Sequence, residues 1–203
     1  MPDTSRVSAA SPRIDRSMLE ALQRVTDAAL DYLGEDELLQ ELLQRVAEVM
    51  SVDTVAILLL EGDELHARAA KGIEEEVEQG VRLPLGRGFA GRIAAERRAI
   101  IIPDVDHADI LNPILREKGI RSLLGVPLLV EGRTIGVLHV GSLTPRDFTP
   151  DESELLQTAA DRASLAMEHE ARATIRALAG SQFDPELVTA FEDLPAEIFG
   201  RAV

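Results

Sequence analysis

The sequence predicts an α+β fold built on an antiparallel sheet, and three observations carry that expectation. Two apolar stretches, "DTVAILLLEGDELHARAAKG" and "SLLGVPLLVEGRTIGVLHVGS", each fold back around a short glycine-containing turn, as hairpins do. Helical periodicity is confined to segments before, between and after these hairpins, not alternating strand by strand as a parallel sheet requires. With 203 residues, 45% of them apolar, the chain can bury one good core and still carry extensions.

Along the chain, residues 1–16 ("MPDTSRVSAASPRIDR") are small, polar and proline-containing. They read as a flexible arm and have no apolar core of a secretory signal. At Ser17 a helix begins with the capping box "SMLE", Ser17 serving the N3 amide and Glu20 reaching back. Leu19, Leu22, Val25, Ala29 and Leu33 continue it to Gly34. A second helix, "DELLQELLQRVAEVM", carries Leu38, Leu39, Leu42, Val46 and Val49 on one stripe, and the short joint predicts an antiparallel pair. The first hairpin turns at Gly62 and Asp63. "VRLPLGRG" is a short strand, "FAGRIAAERR" a short helix, and "AIIIPDV" a strand closed by Pro103. Residues 104–120 form a loop with about one helical turn. The second hairpin turns at Glu131 and Gly132. "TPDESELLQ" then opens a long helix, with Thr149 as N-cap, Pro150 at the first helical position, Glu152 closing a capping box and Phe148 as staple. Its apolar line through Leu155, Leu156, Ala159, Ala163, Ala166, Ile175 and Leu178 runs toward Gly180. A helix of about thirty residues exceeds what a small domain needs, so a partner helix is expected.

The stretch "PLGRGFAGRIAAE" holds a G-x-G-x-x-G at Gly86, Gly88 and Gly91, and Asp106 follows Gly86 by twenty residues. That is the spacing of a dinucleotide-binding turn. Such a turn needs a buried parallel strand before it and a long crossover helix after it. Here the strand is short and carries Pro84, the helix is short, and hairpins follow. The glycines therefore read as the means of a tight strand-to-helix turn.

A net charge of −15 argues against a phosphate-binding surface for nucleic acid and against an anionic membrane surface. The absence of cysteine removes disulfides, thiol catalysis and thiolate metal sites, and fits a cytoplasmic setting. No apolar run approaches ~18 residues. No nucleophile with a paired base is apparent: a G-x-S-x-G elbow is absent, and Ser142 in "HVGSLT" has no suggested histidine. The acidic run "EEEVEQG" at 74–80 reads as a solvated surface, not a catalytic dyad. Of the four histidines, His66 and His139 read as packed or edge residues on strands, His169 as solvated on the long helix, and His107 as a loop residue. None pairs at metal-binding spacing, so neither a metal site nor an enzyme is expected.

The order of elements, with the pieces "VDTVAILLLEGDEL", "LPLGRGFAGRIAAERRAIIIPDV", "RSLLGVPLLVEGRTIGVLHVGS" and "RDFTPDESELLQTAADRASLAME", resembles a GAF domain over residues 17–170. The resemblance implies a twisted antiparallel sheet with a helix bundle on one face and a ligand pocket on the other. The segment after Gly88 and the loop 104–120 would form the pocket's wall and lid. Phe89, Arg92 and Ile93 would then line or rim it, with Asp104, Asp106 and His107 opposite. The plainer readings are core packing for Phe89 and a surface ion pair for Arg92. GAF domains take cyclic nucleotides, bilins, haem or small metabolites. Bilin attachment and the free-methionine-sulfoxide reductase branch both need a cysteine. The cyclic-nucleotide signature has Asn-Lys after the last strand, then Phe, three residues and Asp-Glu; "GSLTPRDFTPDE" lacks the Asn-Lys and places two residues between Phe148 and Asp151. Haem needs an axial histidine in a deep apolar site, and only His107 lies in the lid. No cofactor is assigned, and an unknown small molecule is expected instead.

Residues 171–203 read as a helix extension and tail. Within them "GSQFDPELVTAF" (180–191) resembles the closing segment of HD-GYP phosphodiesterase domains, without the His-Asp pairs or the Gly-Tyr-Pro motif that would carry activity. The expectation is a stand-alone sensory module that binds a small ligand and signals to an unidentified protein. Its homodimer would form through residues 20–33 and 155–178. The alternative is a ligand-free dimeric adaptor.

Overall fold

The computed structural model describes residues 35–177 and Asp184. The predicted arm, the helix from Ser17 to Leu33 and the tail segment 180–191 lie outside the described residues, Asp184 apart. In chain order the elements are α1 (Glu35–Met50), β1 (Thr54–Glu61), β2 (Glu64–Lys71), α2 (Glu75–Glu78), β3 (Arg82–Pro84), α3 (Gly88–Glu96), β4 (Ile100–Ile102), a 3-10 turn (Val105–His107), α4 (Pro113–Glu117), β5 (Ser122–Val130), β6 (Arg133–Ser142) and α5 (Pro150–Ala177). The strands form one antiparallel sheet in the order β3-β2-β1-β6-β5-β4. Its centre joins the two hairpins: β1 pairs with β6 from Thr54 opposite Gly141 to Leu59 opposite Gly136. The short helix α2, inside the acidic run, was not among the predicted elements.

Strand alternation divides the apolar residues between two cores. Val55 and Ile57 of β1, Leu124, Val126 and Leu128 of β5, and Leu138 and Val140 of β6 face α1 and α5. There they meet Leu39, Leu42, Leu43 and Val46 of α1 and Leu155, Leu156, Ala159 and Ala163 of α5. Ala56, Leu58, Leu123 and Val137 face the other way, onto Phe89 and Ile93 of α3 and Ile114 and Leu115 of α4.

The start of α5 is fixed twice. The amide of Glu152 donates to Thr149 Oγ1 (3.2 Å), and the amide of Thr149 donates to Glu152 Oε2 (2.8 Å), which completes the expected capping box. Arg146 then ties this end to α1. Its guanidinium donates to the carbonyls of Met50 and Ser51, both at 2.9 Å, pairs with Glu152, and lies 4.9 Å above the Phe148 ring. A cation on carbonyls left free at a helix C-terminus is favourable in charge as well as in hydrogen bonding.

The turn between β3 and α3 accounts for the glycine spacing. Gly91 packs so closely that a Cβ there would overlap the Pro84 carbonyl, and its own carbonyl accepts the Gly86 amide at 2.8 Å. Helix α3 therefore folds directly back on β3. Gly91→Ala is expected to destabilise the protein by roughly 1–3 kcal/mol, because the clash is with backbone and no side chain can yield. Urea unfolding followed by circular dichroism checks this: the midpoint should fall with little change in slope.

Candidate functional site

Against the naive reading of the acidic run, the side chain of Glu76 is completely buried. Helix α2 turns it inward while Glu75 stays partly exposed and Glu78 exposed. The read of 74–80 as a solvated surface thus fails at this residue. A buried carboxylate needs donors. Asn112 supplies one, its Nδ2 donating to Glu76 Oε1 at 2.6 Å. The Oδ1 of Asn112 meanwhile accepts the Ile114 amide at 3.1 Å as the N-cap of α4, with Pro113 in the first turn. One amide side chain both starts α4 and holds the carboxylate.

On the other side of Glu76 lies His139, 2% exposed. Its Nε2 is 3.4 Å from Glu76 Oε2, without hydrogen-bond geometry; Oε2 and His139 Nδ1 are buried and have no hydrogen-bond partner. The Phe89 ring meets the imidazole edge to face, with centroids 6.0 Å apart and planes at 80°.

These groups form the polar end of a crevice walled by Phe89 and Leu115, with Arg87 and Leu111 on its exposed side. The crevice is partly open to solvent, and as it stands it has room for about one water. The Arg87 side chain makes no hydrogen bond or ion pair among the described residues, and no side chain caps the first turn of α3 that follows it. Leu111 lies across that turn: Gly88 has φ +62°, and a Cβ there would come 2.8 Å from Leu111 Cγ. The segment leading to α4 is held by Arg116, which donates to the carbonyls of Ala108 (2.9 Å) and Ile110 (3.0 Å). Outside the crevice, Lys118 Nζ pairs with Glu75 Oε1 at 2.7 Å. That hydrogen bond holds the Glu75 carboxyl below its ordinary range and raises the Lys118 ammonium above its own.

Of the six residues expected at a pocket, Phe89 lines the crevice. Ile93 is fully buried one turn further along α3, in the core behind it. Arg92 is exposed and pairs with Glu96 at 3.0 Å. Asp104 caps the 3-10 turn by accepting the Asp106 amide (3.0 Å) and contacts His107 Nδ1 (2.7 Å), which keeps its carboxyl low. Asp106 pairs with Arg121 at 2.9 Å, and His107 is 84% exposed. Arg92 in its pair with Glu96, and Asp104, Asp106 and His107 in their own cluster, thus lie at the surface and do not line the crevice. Glu76, Arg87, Asn112 and His139 take those positions. Among the described residues, no cluster of His, Asp or Glu can hold a metal ion, and no helix is long and apolar enough to cross a membrane.

The model of the GAF domain matches residues 34–167. The chain belongs to the GAF domain family. GAF domains are sensory and regulatory modules. The structure is similar to the GAF domain of a phosphoenolpyruvate-protein phosphotransferase from Coxiella burnetii (TM-score 0.69, 23% identity, covering 79% of this chain and 98% of that one). It is also similar to the free methionine-R-sulfoxide reductase from Neisseria meningitidis, solved with its substrate (TM-score 0.66, 24% identity, covering 81% and 97%). These likenesses show the fold. A curated relative, the HTH-type transcriptional activator RamA of Corynebacterium glutamicum, is 26% identical over 92 residues, 43% of this chain. The match spans 33% of that relative's length.

Two measurements test how this GAF domain holds its crevice together. Asn112→Ala removes the donor to a buried carboxylate and the cap of α4 at once, so it is expected to cost roughly 2–4 kcal/mol in urea unfolding. Asp104→Ala, which uncaps an exposed turn, should cost less. The Glu75–Lys118 pair sets a pH window. Glu75 is lowered from 4.5, so its contribution is complete above that value and disappears as pH falls through the lowered one. Lys118 is raised from 10.5, so its contribution is complete below that value and is lost as pH rises through the raised one. Stability of wild type relative to Lys118→Ala should therefore be greatest between these limits and shrink at both ends, a small effect given how exposed the pair is.

Proposed function

We propose that the chain is a sensory module that takes a small ligand into the crevice beside Glu76 and signals through the helices on the opposite face of the sheet. The observation that carries this reading is the unpartnered Oε2 of Glu76, buried beside His139 at the end of an otherwise mostly apolar crevice. An unpaired buried acceptor costs about 1–3 kcal/mol, which a ligand donor would recover. A largely apolar crevice with a few convergent polar groups is the usual form of a small-molecule site. Phe89 keeps its proposed ligand-facing role; Arg92, Ile93, Asp104, Asp106 and His107 support the walls from outside the crevice.

Transmission runs through β6. His139 faces the crevice, while its neighbours Leu138 and Val140 pack against the α1–α5 side. A change in how His139 sits therefore biases the packing of α5, whose 28 residues extend the signal along its axis. Leu165 on this helix is 43% exposed, which suits contact with a second copy. The reading is of a cytoplasmic homodimer that shifts between two helix packings and acts on a separate signalling protein.

Native mass spectra and thermal unfolding with a library of small polar metabolites test this. The expected result is a dimer whose unfolding temperature rises with a library member, an effect lost in Glu76→Gln and kept in Arg92→Gln. A library without any Glu76-dependent stabiliser defeats the ligand reading and leaves a dimeric adaptor. A monomer at all concentrations removes the helix-coupled dimer.

A further inference from the structure

We propose that the ligand is a small zwitterion, an amino acid or similar amino-carboxylate, with its ammonium on Glu76 and its carboxylate on Arg87 and the first turn of α3. This rests on the reading of the crevice as a ligand site and names the chemistry that fits it. Two opposite requirements share one small space. At the inner end, Oε2 of Glu76 has no hydrogen-bond partner, and His139 Nε2 stands 3.4 Å from it. A carboxylate oxygen can only accept, so the group that satisfies it must donate. An ammonium carries three donors and a charge opposite to that of Glu76, and can reach both oxygen and imidazole. At the outer end the polarity reverses. Arg87 brings a guanidinium with no ion pair among the described residues, and the α3 first turn that follows has no side-chain cap. Free helix amides and a planar guanidinium fork are both suited to a carboxylate.

A ligand with one pole leaves half of this unmet. A simple anion would place its charge in the same crevice as the Glu76 carboxylate and approach a chain of net charge −15. A simple amine would leave Arg87 and the α3 amides as they are. A zwitterion is neutral to the long-range field and answers both ends. Leu111 governs access to the anion end, since it lies over Gly88 where a Cβ would meet it at 2.8 Å. The carboxylate therefore has to displace Leu111, and a smaller residue there relieves that competition. Since the crevice holds about one water as it stands, the ligand enters only as Leu111 moves aside, and the apolar Phe89 and Leu115 walls favour a short apolar side chain.

The test uses the full chain and titration calorimetry with glycine, L-alanine and L-valine, beside the one-pole analogues ethylamine and propionate. Wild type, Leu111→Ala, Arg87→Gln and Glu76→Gln are compared, with circular dichroism to establish that each is folded; Arg87 is exposed, so its variant is not expected to unfold. The expected result is binding of at least one amino acid, tighter in Leu111→Ala. It should be weaker by about tenfold or more in both Arg87→Gln and Glu76→Gln, with neither analogue competing. Propionate or ethylamine binding as well as L-alanine overturns the zwitterion, as does binding indifferent to Arg87→Gln. If none of the amino acids binds wild type or Leu111→Ala, while the metabolite library gives a Glu76-dependent hit, the ligand class is wrong and the site stands. If both screens are empty, the site itself is refuted.

Discussion

A carboxylate kept from water ties together the short elements on the crevice face of the sheet. Taking a charged group out of water costs several kcal/mol unless the surroundings replace its hydration. Glu76 receives only part of that replacement, from Asn112. The amide is itself committed, because its oxygen caps α4. The position of α4 is then not free either: Lys118 ties its C-terminal end to α2, and Arg116 draws in the carbonyls of the chain that precedes it. From one buried acid the constraint passes through an amide, a helix and a loop. These elements have little secondary structure of their own, α2 having four residues and α4 five, and they hold their places because side chains do for them what a ladder of backbone bonds does elsewhere.

The opposite face is held on a different principle. Among the described residues, leucine, valine and alanine of α1, α5 and the sheet interlock without a polar group at the centre, apart from Ser164, whose hydroxyl donates to the Ala160 carbonyl in its own helix. Arg146 works at the margin of this layer, where the end of α1 and the start of α5 leave carbonyls and a capping carboxylate to be met. Apolar packing is non-directional and can settle in more than one close-packed arrangement, whereas a hydrogen-bonded cluster holds its geometry until it breaks. The two faces thus combine a specific polar socket with an adjustable apolar layer.

What was legible in the sequence follows from how local its causes are. The hairpins at Gly62 and Glu131, the Thr149–Glu152 box and the strand closed by Pro103 are written within a few residues of where they act, and each is present. The surface pairs were legible in the same way. Arg92 and Glu96 stand four apart on a helix, and Asp104 lies two residues before the amide it caps; these local partners use up the side chains first assigned to a pocket. Glu76 was illegible because its donor lies 36 residues away and its other neighbour is on β6. Two signs did point toward it. Asn112 before Pro113 is a helix-start signature in a region read as loop, and His139 falls out of phase with Leu138 and Val140 on a strand whose faces are both covered.

That phase has a consequence for how proteins of this design change over time. On β6, positions 137 and 139 answer to one environment, and 138 and 140 to another. A descendant can rewrite the first pair, and with it the crevice wall, while inheriting the second pair and the packing of α1 and α5 unaltered. The reverse is equally open. The crevice wall and the helix layer are separate heritable traits that share a backbone, so selection can act on either without first undoing the other.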